Sequence, residues 1–288
     1  ETWKRLHWLT FPVLTLAFYH SIQLGSDIYG PLRTTWFILW GFHLLVVLGK
    51  IFHKLSVWRK TSRIVSAVSD TPGTLTVVAE KLKQRYQPGQ FAFISLKLTK
   101  KWEAWHPFSL TSHHSDEHIS MTIKKLGDFS SAAAAIKPGD RIKTDIGYGA
   151  FTLPVPGDNR YTFIAAGVGI TPIYALLKDL AQKPDSPEVI LIYCVHSESD
   201  ILFRDELTRW FSERPAWSLH IACTSQPDWP GEQGRINDVM VDKICGPLYP
   251  GSYFLCGPAM MVKSIGRYLR IKGVSRRQIK REKFVFLP

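Results

Sequence analysis

Two apolar runs dominate the start of the chain. Residues 8–24 (WLTFPVLTLAFYHSIQL) and 34–49 (TTWFILWGFHLLVVLG) contain no Asp, Glu, Lys or Arg. Each is slightly short of the roughly 20 residues that span a bilayer as a helix, while Trp8, Tyr29 and Trp58 flank them as interfacial anchors. From residue 62 the pattern changes to short alternating segments: SRIVSAVS, GTLTVVAE, GQFAFISLKL, HISMTIKKL and DRIKTDIG, punctuated by TPG, QPG and KPG. Period-two alternation between such turns predicts a small antiparallel β-barrel. One helical insertion is expected at DFSSAAAAI, ending before Pro138. From about residue 158 the rhythm becomes strand then helix: RYTFIAAG with TPIYALLKDLAQK, EVILIYCV with DILFRDELTRWF, then SLHIACT, and GSYFLCG with PAMMVKSIGRYLRIKG. That alternation predicts a parallel sheet wrapped by helices.

The expected organisation is a multidomain membrane protein. Transmembrane helices of an incomplete domain occupy residues 1–58, an antiparallel β-barrel 59–155, and a Rossmann-like α/β domain 156–288. A buried helical hairpin in a soluble protein is the alternative reading of the first part.

Charge placement favours the membrane. Lys4 and Arg5 precede the first run, and Lys50, Lys54, Arg59 and Lys60 close the second, whereas the connection GSDIYGPLR has only Arg33. The positive-inside rule then puts both outer ends, and everything after residue 59, on the cytoplasmic side of a cell (inner) membrane, crossed more than once. The chain begins at Glu1 rather than Met, and upstream sequence is expected. Across the whole chain 36 basic residues face 24 acidic ones, a net +12 that favours anionic partners. The basic residues are dispersed and no nucleic-acid-binding motif is present, so nucleic acid is not the expected partner. The four cysteines, Cys194, Cys223, Cys245 and Cys256, have no clustered ligand spacing, which argues against zinc or a built-in iron–sulfur cluster.

His7, just before the first run, and His20 within it lie thirteen residues apart, roughly 20 Å along a helix. Imidazoles in such a segment usually mark a function, here two metal or haem centres stacked across the bilayer. Thirteen steps of about 100° leave the rings off a common face, and Pro12 between them is the candidate kink that would realign them. Histidines touching head groups are the other reading. His43 and His53 read as structural or interfacial.

The chemistry-bearing stretches fall at strand ends. AAGVGITP (165–172) follows a strand and opens a helix, so Gly167 and Gly169 allow close backbone approach to a phosphate. LCGPAMM (255–261) repeats the arrangement, with Cys256 and Gly257 bordering the same crevice. In the barrel, WHPFSLTS (105–112) ends a loop stiffened by Pro107, and TIKKLGDFSS (122–131) places Gly127 and Ser130 at a helix start.

Taken in order, PGQF (88–91), HPFSLTS, IKKLGDFS, IGYG (146–149), AAGVGITP, LCGP and REKF (281–284) resemble the ferredoxin–NADP reductase superfamily. The His-Pro-Phe start of the flavin motif is similar to the ferric reductase and NADPH oxidase branch. In that branch a transmembrane helix just upstream carries two haem-ligating histidines at about this spacing, which His7 and His20 match. The resemblance implies a relay from NADPH (NADH being possible) through FAD and two b-type haems to oxygen, giving superoxide, or to ferric iron. His7 would ligate the inner haem and His20 the outer, with partner ligands from helices outside this sequence.

By the same resemblance His106, Pro107, Phe108 and Ser109 would hold the flavin, with the Ser109 hydroxyl near the reactive ring nitrogen. Thr122, Ile123, Lys124, Gly127, Phe129 and Ser130 would take the ribityl chain and pyrophosphate. Phe284 would stack on the flavin ring, with Phe286 as its rival. Gly167, Gly169, Thr171 and Pro172 would cradle the dinucleotide phosphates, and Cys256, with Gly257 and Pro258, would lie beside the nicotinamide. Ser109, Cys256 and Phe284 are the implied catalytic set. Two departures bear on the cofactor. His196 stands where relatives often place an arginine, leaving Arg235 to meet a 2′-phosphate, and Lys124 and Lys125 replace another common arginine. A membrane-tethered flavin reductase serving a soluble carrier, and a degenerate docking subunit, are the competing readings.

Overall fold

A computed structural model describes residues 9–24, 31–59, 61–82, 84–98, 101–154, 157–183, 187–246 and 251–283. The chain divides into two compact units, Glu1–Lys60 and Thr61–Pro288.

The first unit is a helical hairpin of α1 (Thr10–Leu24) and α2 (Pro31–Arg59). Its contacts recur at helical spacing. Lys50 Nζ sits 4.8 Å from the Phe11 ring centroid, the Thr15 hydroxyl is 3.0 Å from His43 Nε2, and Phe18 packs on Trp36 at 5.1 Å. Residues 11, 15 and 18 therefore form the inward stripe of α1, and His20 lies off it, exposed. Among the described residues one helix, Leu32–His53, is long and apolar enough to cross a membrane. The described part of the first run spans about 22 Å as a 15-residue helix. The outer faces carry bare Leu16, Ile38, Phe42, Leu45, Leu48 and Phe52. Pro12 occupies the first turn of α1, where a missing N–H breaks no helical bond, so the described helix has no mid-helix proline. His7 lies outside the described residues.

In the second unit six strands come first: β1 (Ser62–Val68), β2 (Thr74–Glu80), β3 (Phe91–Leu96), β4 (His106–Ser109), β5 (His118–Lys124) and β6 (Arg141–Tyr148). Their order is β4-β3-β6-β1-β2-β5, with antiparallel pairing throughout. The isolated bridge between Leu110 and Met121 joins the two ends and closes the barrel. Alternation fills its interior with Ile64, Val77, Ile94, Leu110, Met121 and Ile123. The motif expected to end a loop, HPFS, is itself strand β4, because Ala92 and Phe93 of β3 pair with Phe108 and Pro107. The expected insertion is helix α3 (Asp128–Ala132) with a 3-10 turn at Ala133–Ala135.

A second sheet, all parallel, follows: β7 (Arg160–Ala166), β8 (Glu188–Val195), β9 (Trp217–Cys223), β10 (Glu232–Gln233), β11 (Ser252–Gly257) and β12 (Ile279–Lys283), in the order β10-β9-β8-β7-β11-β12. Its central strands β7, β8 and β11 read as nearly unbroken apolar runs because both faces are covered. Helices α4 (Ile170–Ala181) and α5 (Arg204–Ser212) bury Ile173, Leu176, Leu177, Leu207 and Trp210 on one face. Helices α6 (Asp238–Cys245) and α7 (Ala259–Ile271) bury Met240, Val241, Val262, Ile265 and Leu269 on the other. Helix α6 and the short flanking strands β10 and β12 were not anticipated. The helix is only two turns long, but Asn237 caps it by accepting from Met240 N at 2.8 Å.

Barrel and sheet meet along the loop between β4 and β5. Asp116 pairs with Lys178 at 2.6 Å, and His113 Nε2 lies 3.0 Å from Asp179 on α4. Gly89 holds φ +86, and a Cβ there would lie 2.0 Å from the Phe151 carbonyl oxygen, so only glycine permits this approach.

Candidate active site

The chain runs outward from β7 to β8, β9 and β10, then returns to lay β11 and β12 on the other side of β7. The reversal leaves a crevice between the carboxyl ends of β7 and β11, the position where open α/β sheets bind ligands. Both glycine turns fall there. Ala165 pairs with Cys256, so Gly167–Gly169 and Gly257–Pro258 leave neighbouring strands side by side. Gly167 adopts φ +54, a left-handed turn. Gly169 is closer still: a Cβ would stand 2.3 Å from the Cys256 carbonyl oxygen. Of the other residues in this turn, Thr171 spends its hydroxyl on Val168 O at 2.9 Å, and Pro172 sits in the first turn of α4, where no N–H is needed. Their part is to fix the turn, leaving backbone N–H groups for a phosphate.

Opposite lies the barrel's outer face. The Leu110–Met121 bridge sets Ser109 beside Thr122 and Thr111 beside Ser120, the latter joined Oγ to Oγ at 2.8 Å. Strand parity then puts Ser109, Thr122 and Lys124 on one outward face, with Thr122 bonded to Thr76 at 2.6 Å. Lys124 Nζ reaches across to the sheet domain, 3.9 Å from where a Cβ on Gly167 would stand. A cation between the barrel floor and a glycine turn fits a bridging pyrophosphate.

The same parity divides the expected flavin motif. His106 and Phe108 share the other face of β4 with Phe129, whose ring stacks on His106 at 4.0 Å and lies 5.9 Å from Phe108. Burial depresses the His106 pKa, with Glu103 opposing. Pro107 and Ser109 point to the opposite side, paired with Phe93 and Phe91. The four residues cannot all present side chains to one ligand. Ile123 is 1 % exposed in the barrel core, so only its backbone is available. Gly127 caps α3 with extended backbone, and nothing stands within 4 Å of where its Cβ would be. Ser130 closes the turn itself, accepting from Leu126 N at 2.8 Å and Gly127 N at 3.0 Å. The open space at Gly127 and the cation at Lys124 fit the phosphate-bearing part of a flavin dinucleotide. The crevice at Gly167–Gly169 fits a second dinucleotide.

Cys256, next to last in β11, is fully buried, and burial with the neighbouring Glu282 raises its thiol well above the usual range. The thiol faces the sheet core, leaving its backbone at the crevice. Glu282, a residue sequence reading passed over, pairs with Cys256 across β11 and β12, and burial raises its carboxyl. Four of the five residues of β12 are charged, so nothing in the sequence marked this one charge as buried. Phe284 and its rival Phe286 lie outside the described residues, and β12 ends at Lys283, paired with Gly257.

His196, after β8, is exposed, with Nδ1 3.0 Å from Ser225 Oγ and 3.3 Å from Thr224 Oγ1. Arg235 follows β10 and is exposed. Three adjacent strand ends thus bring His196, Thr224, Ser225 and Arg235 to one polar rim. The two hydroxyls had no sequence signal, because their neighbourhood is set by the β8–β9 register.

His113, His114 and Asp179 bring ligand atoms within 4.8 Å of one another. Lys183 pairs with Asp179 at 2.8 Å and already balances its charge, which suits a domain clasp better than a cation site. Of the two expected haem ligands, His7 and His20, the described residues include His20 alone; His43 on α2 is tied to Thr15. The described residues do not complete a haem site.

Comparison with known proteins agrees with this two-part layout. Residues 60–137 match the FAD-binding domain family and residues 163–267 the oxidoreductase NAD-binding domain family. The chain is 27 % identical over 199 residues to an NADPH oxidoreductase of Mycobacterium tuberculosis, covering 67 % of this chain and 50 % of that protein. It is 28 % identical over 228 residues to the toluate 1,2-dioxygenase electron transfer component of Pseudomonas putida, covering 76 % and 65 %. With NADH-cytochrome b5 reductase 1 of Kluyveromyces lactis it shares 30 % over 168 residues, covering 56 % and 60 %. The chain thus spans between half and about two thirds of these relatives. Among solved structures, the ferredoxin NADP+ reductase of Neisseria gonorrhoeae with bound FAD and NADP superposes with a TM-score of 0.68 at 20 % identity, covering 78 % of this chain and 98 % of that one. The cytochrome b5 reductase domain of Ulva prolifera nitrate reductase gives 0.68 at 21 %, covering 77 % and 97 %. These likenesses show the fold.

Proposed function

Because this chain belongs to the ferredoxin–NADP reductase superfamily, we propose that it is a membrane-anchored NAD(P)H-dependent flavoprotein oxidoreductase. The observation that supports the reading is Lys124 of the barrel facing the Gly167 turn of the sheet, a cation between the proposed flavin floor and the proposed dinucleotide crevice. The outward face of Ser109, Thr122 and Lys124 would hold FAD, which would supply hydride-accepting and single-electron-donating chemistry there. The protein's part is geometric. The outward face of Ser109, Thr122 and Lys124 orients the flavin, and the backbone of Gly167–Gly169 holds the pyridine nucleotide. The backbone at Cys256–Gly257 would border the nicotinamide end of the crevice. The rim of His196, Ser225 and Arg235 favours NADPH, with Arg235 as the cation for a 2′-phosphate.

The onward leg is a finer proposal: electrons cross the membrane through haem held by His7 and His20, with partner ligands from other helices, to oxygen or ferric iron. Its support is that His20 faces away from α2, where another helix can reach it, whereas His43 faces inward. In this reading the barrel and sheet domains lie in the cytoplasm.

The test uses membranes containing the full-length protein under anaerobic conditions, with flavin and haem absorbance followed together after NADPH is added. Flavin bleaching followed by sharpened haem bands supports both legs. Bleaching with no haem signal removes the haem leg and leaves a tethered reductase serving a soluble carrier. No change with either NADPH or NADH overturns the redox reading.

A further inference from the structure

We propose that the outward stripe of α7, with the turn behind it, is a docking surface for an anionic phospholipid bilayer. Residues 263–283 hold nine Lys or Arg against a single acidic residue, Glu282. Lys263, Arg267 and Arg270 follow one another at i, i+4 and i+7, which stacks them along one exposed face of the helix. Arg276 and Arg277 extend the stripe through the exposed turn into β12. Among the described residues none of these five has an acidic partner. Lys272 is paired with Asp242 at 3.1 Å, and Arg281 lies against the helix, donating to Gly266 O at 2.9 Å. In the middle of the stripe Ile271 stands 72 % exposed. Cations flanking a bare aliphatic side chain match a surface made of anionic head groups over acyl chains.

Place in the fold argues against an acidic electron carrier as the occupant. Helix α7 runs antiparallel to the strands, so Arg270, Ile271, Arg276 and Arg277 lie at the amino edge of the sheet, where β12 begins. The nucleotide crevice opens at the other edge, about 17 Å away along β11. A compact carrier seated on the Arg270–Arg277 end of the stripe would be held off the crevice, whereas a bilayer is extended and need not coincide with it. The proposal rests on the membrane-anchored reading only in that an anchor keeps such a surface within reach. Each cation near an anionic surface strengthens association by about fivefold, and salt removes the effect within a Debye length.

The test labels Ser264→Cys in the full chain with an environment-sensitive fluorophore. All four native cysteines are buried, so the label reports the stripe. The protein is reconstituted into vesicles of phosphatidylcholine alone, or with about 30 % phosphatidylglycerol, each carrying a headgroup-linked quencher. Quenching is expected to be at least about twofold stronger in the anionic vesicles, and to fall to the neutral level in about 0.5 M salt. The triple substitution Arg267→Gln, Arg270→Gln, Arg276→Gln should abolish the difference. Equal quenching in both vesicles, with the unsubstituted surface, overturns the proposal, as does quenching that salt leaves unchanged. Protection of the label by an acidic redox protein, without lipid quenching, also overturns it. If the chain fails to enter neutral vesicles yet is still quenched by anionic ones, the anchor reading falls and the docking surface stands.

Discussion

Gly169 and Cys256 meet backbone to backbone, so tightly that a Cβ on Gly169 would stand 2.3 Å from the Cys256 carbonyl oxygen. No rotamer relieves that contact, because both partners are main chain. Gly169→Ala should therefore push the turn off β11. The expected result is at least about a tenfold rise in KM for NAD(P)H, a melting temperature lower by several degrees, and flavin content unchanged. Steady-state kinetics with a thermal melt checks this. An unchanged KM would show that the turn does not border the nucleotide.

Gly127 offers the contrast. Its backbone is extended and the space beyond it is open, so alanine fits the folded chain without strain. Gly127→Ala should leave the melting temperature of the flavin-free protein within about a degree, yet lower FAD affinity by about tenfold if phosphate occupies that space. Flavin titration of the variant separates the two effects.

The cysteines should be silent. Burial raises Cys194 and Cys223, takes Cys245 up to about 11, and raises Cys256 well above its ordinary value. Alkylation at pH 8, read by intact mass, should modify none of the four in the folded protein and all four after denaturation. Fast modification of one of them without denaturant would contradict the burial described.

Asp179 predicts a pH dependence. Burial alone would raise its carboxyl, but hydrogen bonds from Lys183 and His113 together hold it below the usual carboxylate value. A depressed folded pKa stabilises above the unfolded pKa, and that contribution disappears as pH falls through the folded value. Asp179→Asn should cost about 1–2 kcal/mol at pH 7, with the gap to wild type closing below about pH 4. Denaturant midpoints across that range measure it, and a gap independent of pH would remove the carboxylate from the clasp.

Glu282 has the opposite sign. Burial raises its carboxyl, so the ionised form is disfavoured in the fold and its penalty grows as pH rises past the unfolded value. Glu282→Gln should stabilise the protein by about 1 kcal/mol at pH 8 and make no difference below about pH 4. Equal midpoints for both proteins at pH 8 would refute this.

Periodicity alone determined much of this protein. SRIVSAVS and HISMTIKK alternate because one barrel face is wet, and EVILIYCV does not because both faces of its sheet are covered. Those patterns are local physics, legible over a few residues. Glycines before helices marked both crevice turns for the same reason. What tertiary structure decided were relationships across the chain. The β3 partner turned HPFS from a loop into a strand and sent Phe108 and Ser109 to opposite faces. Registers between distant strands brought Glu282 to Cys256 and Ser225 to His196. Hydroxyls that looked free for a ligand, Ser130 and Thr171, were taken by their own turns. A hydrogen bond is settled by whichever partner folding brings within about 3 Å, and spacing in the chain does not record that distance.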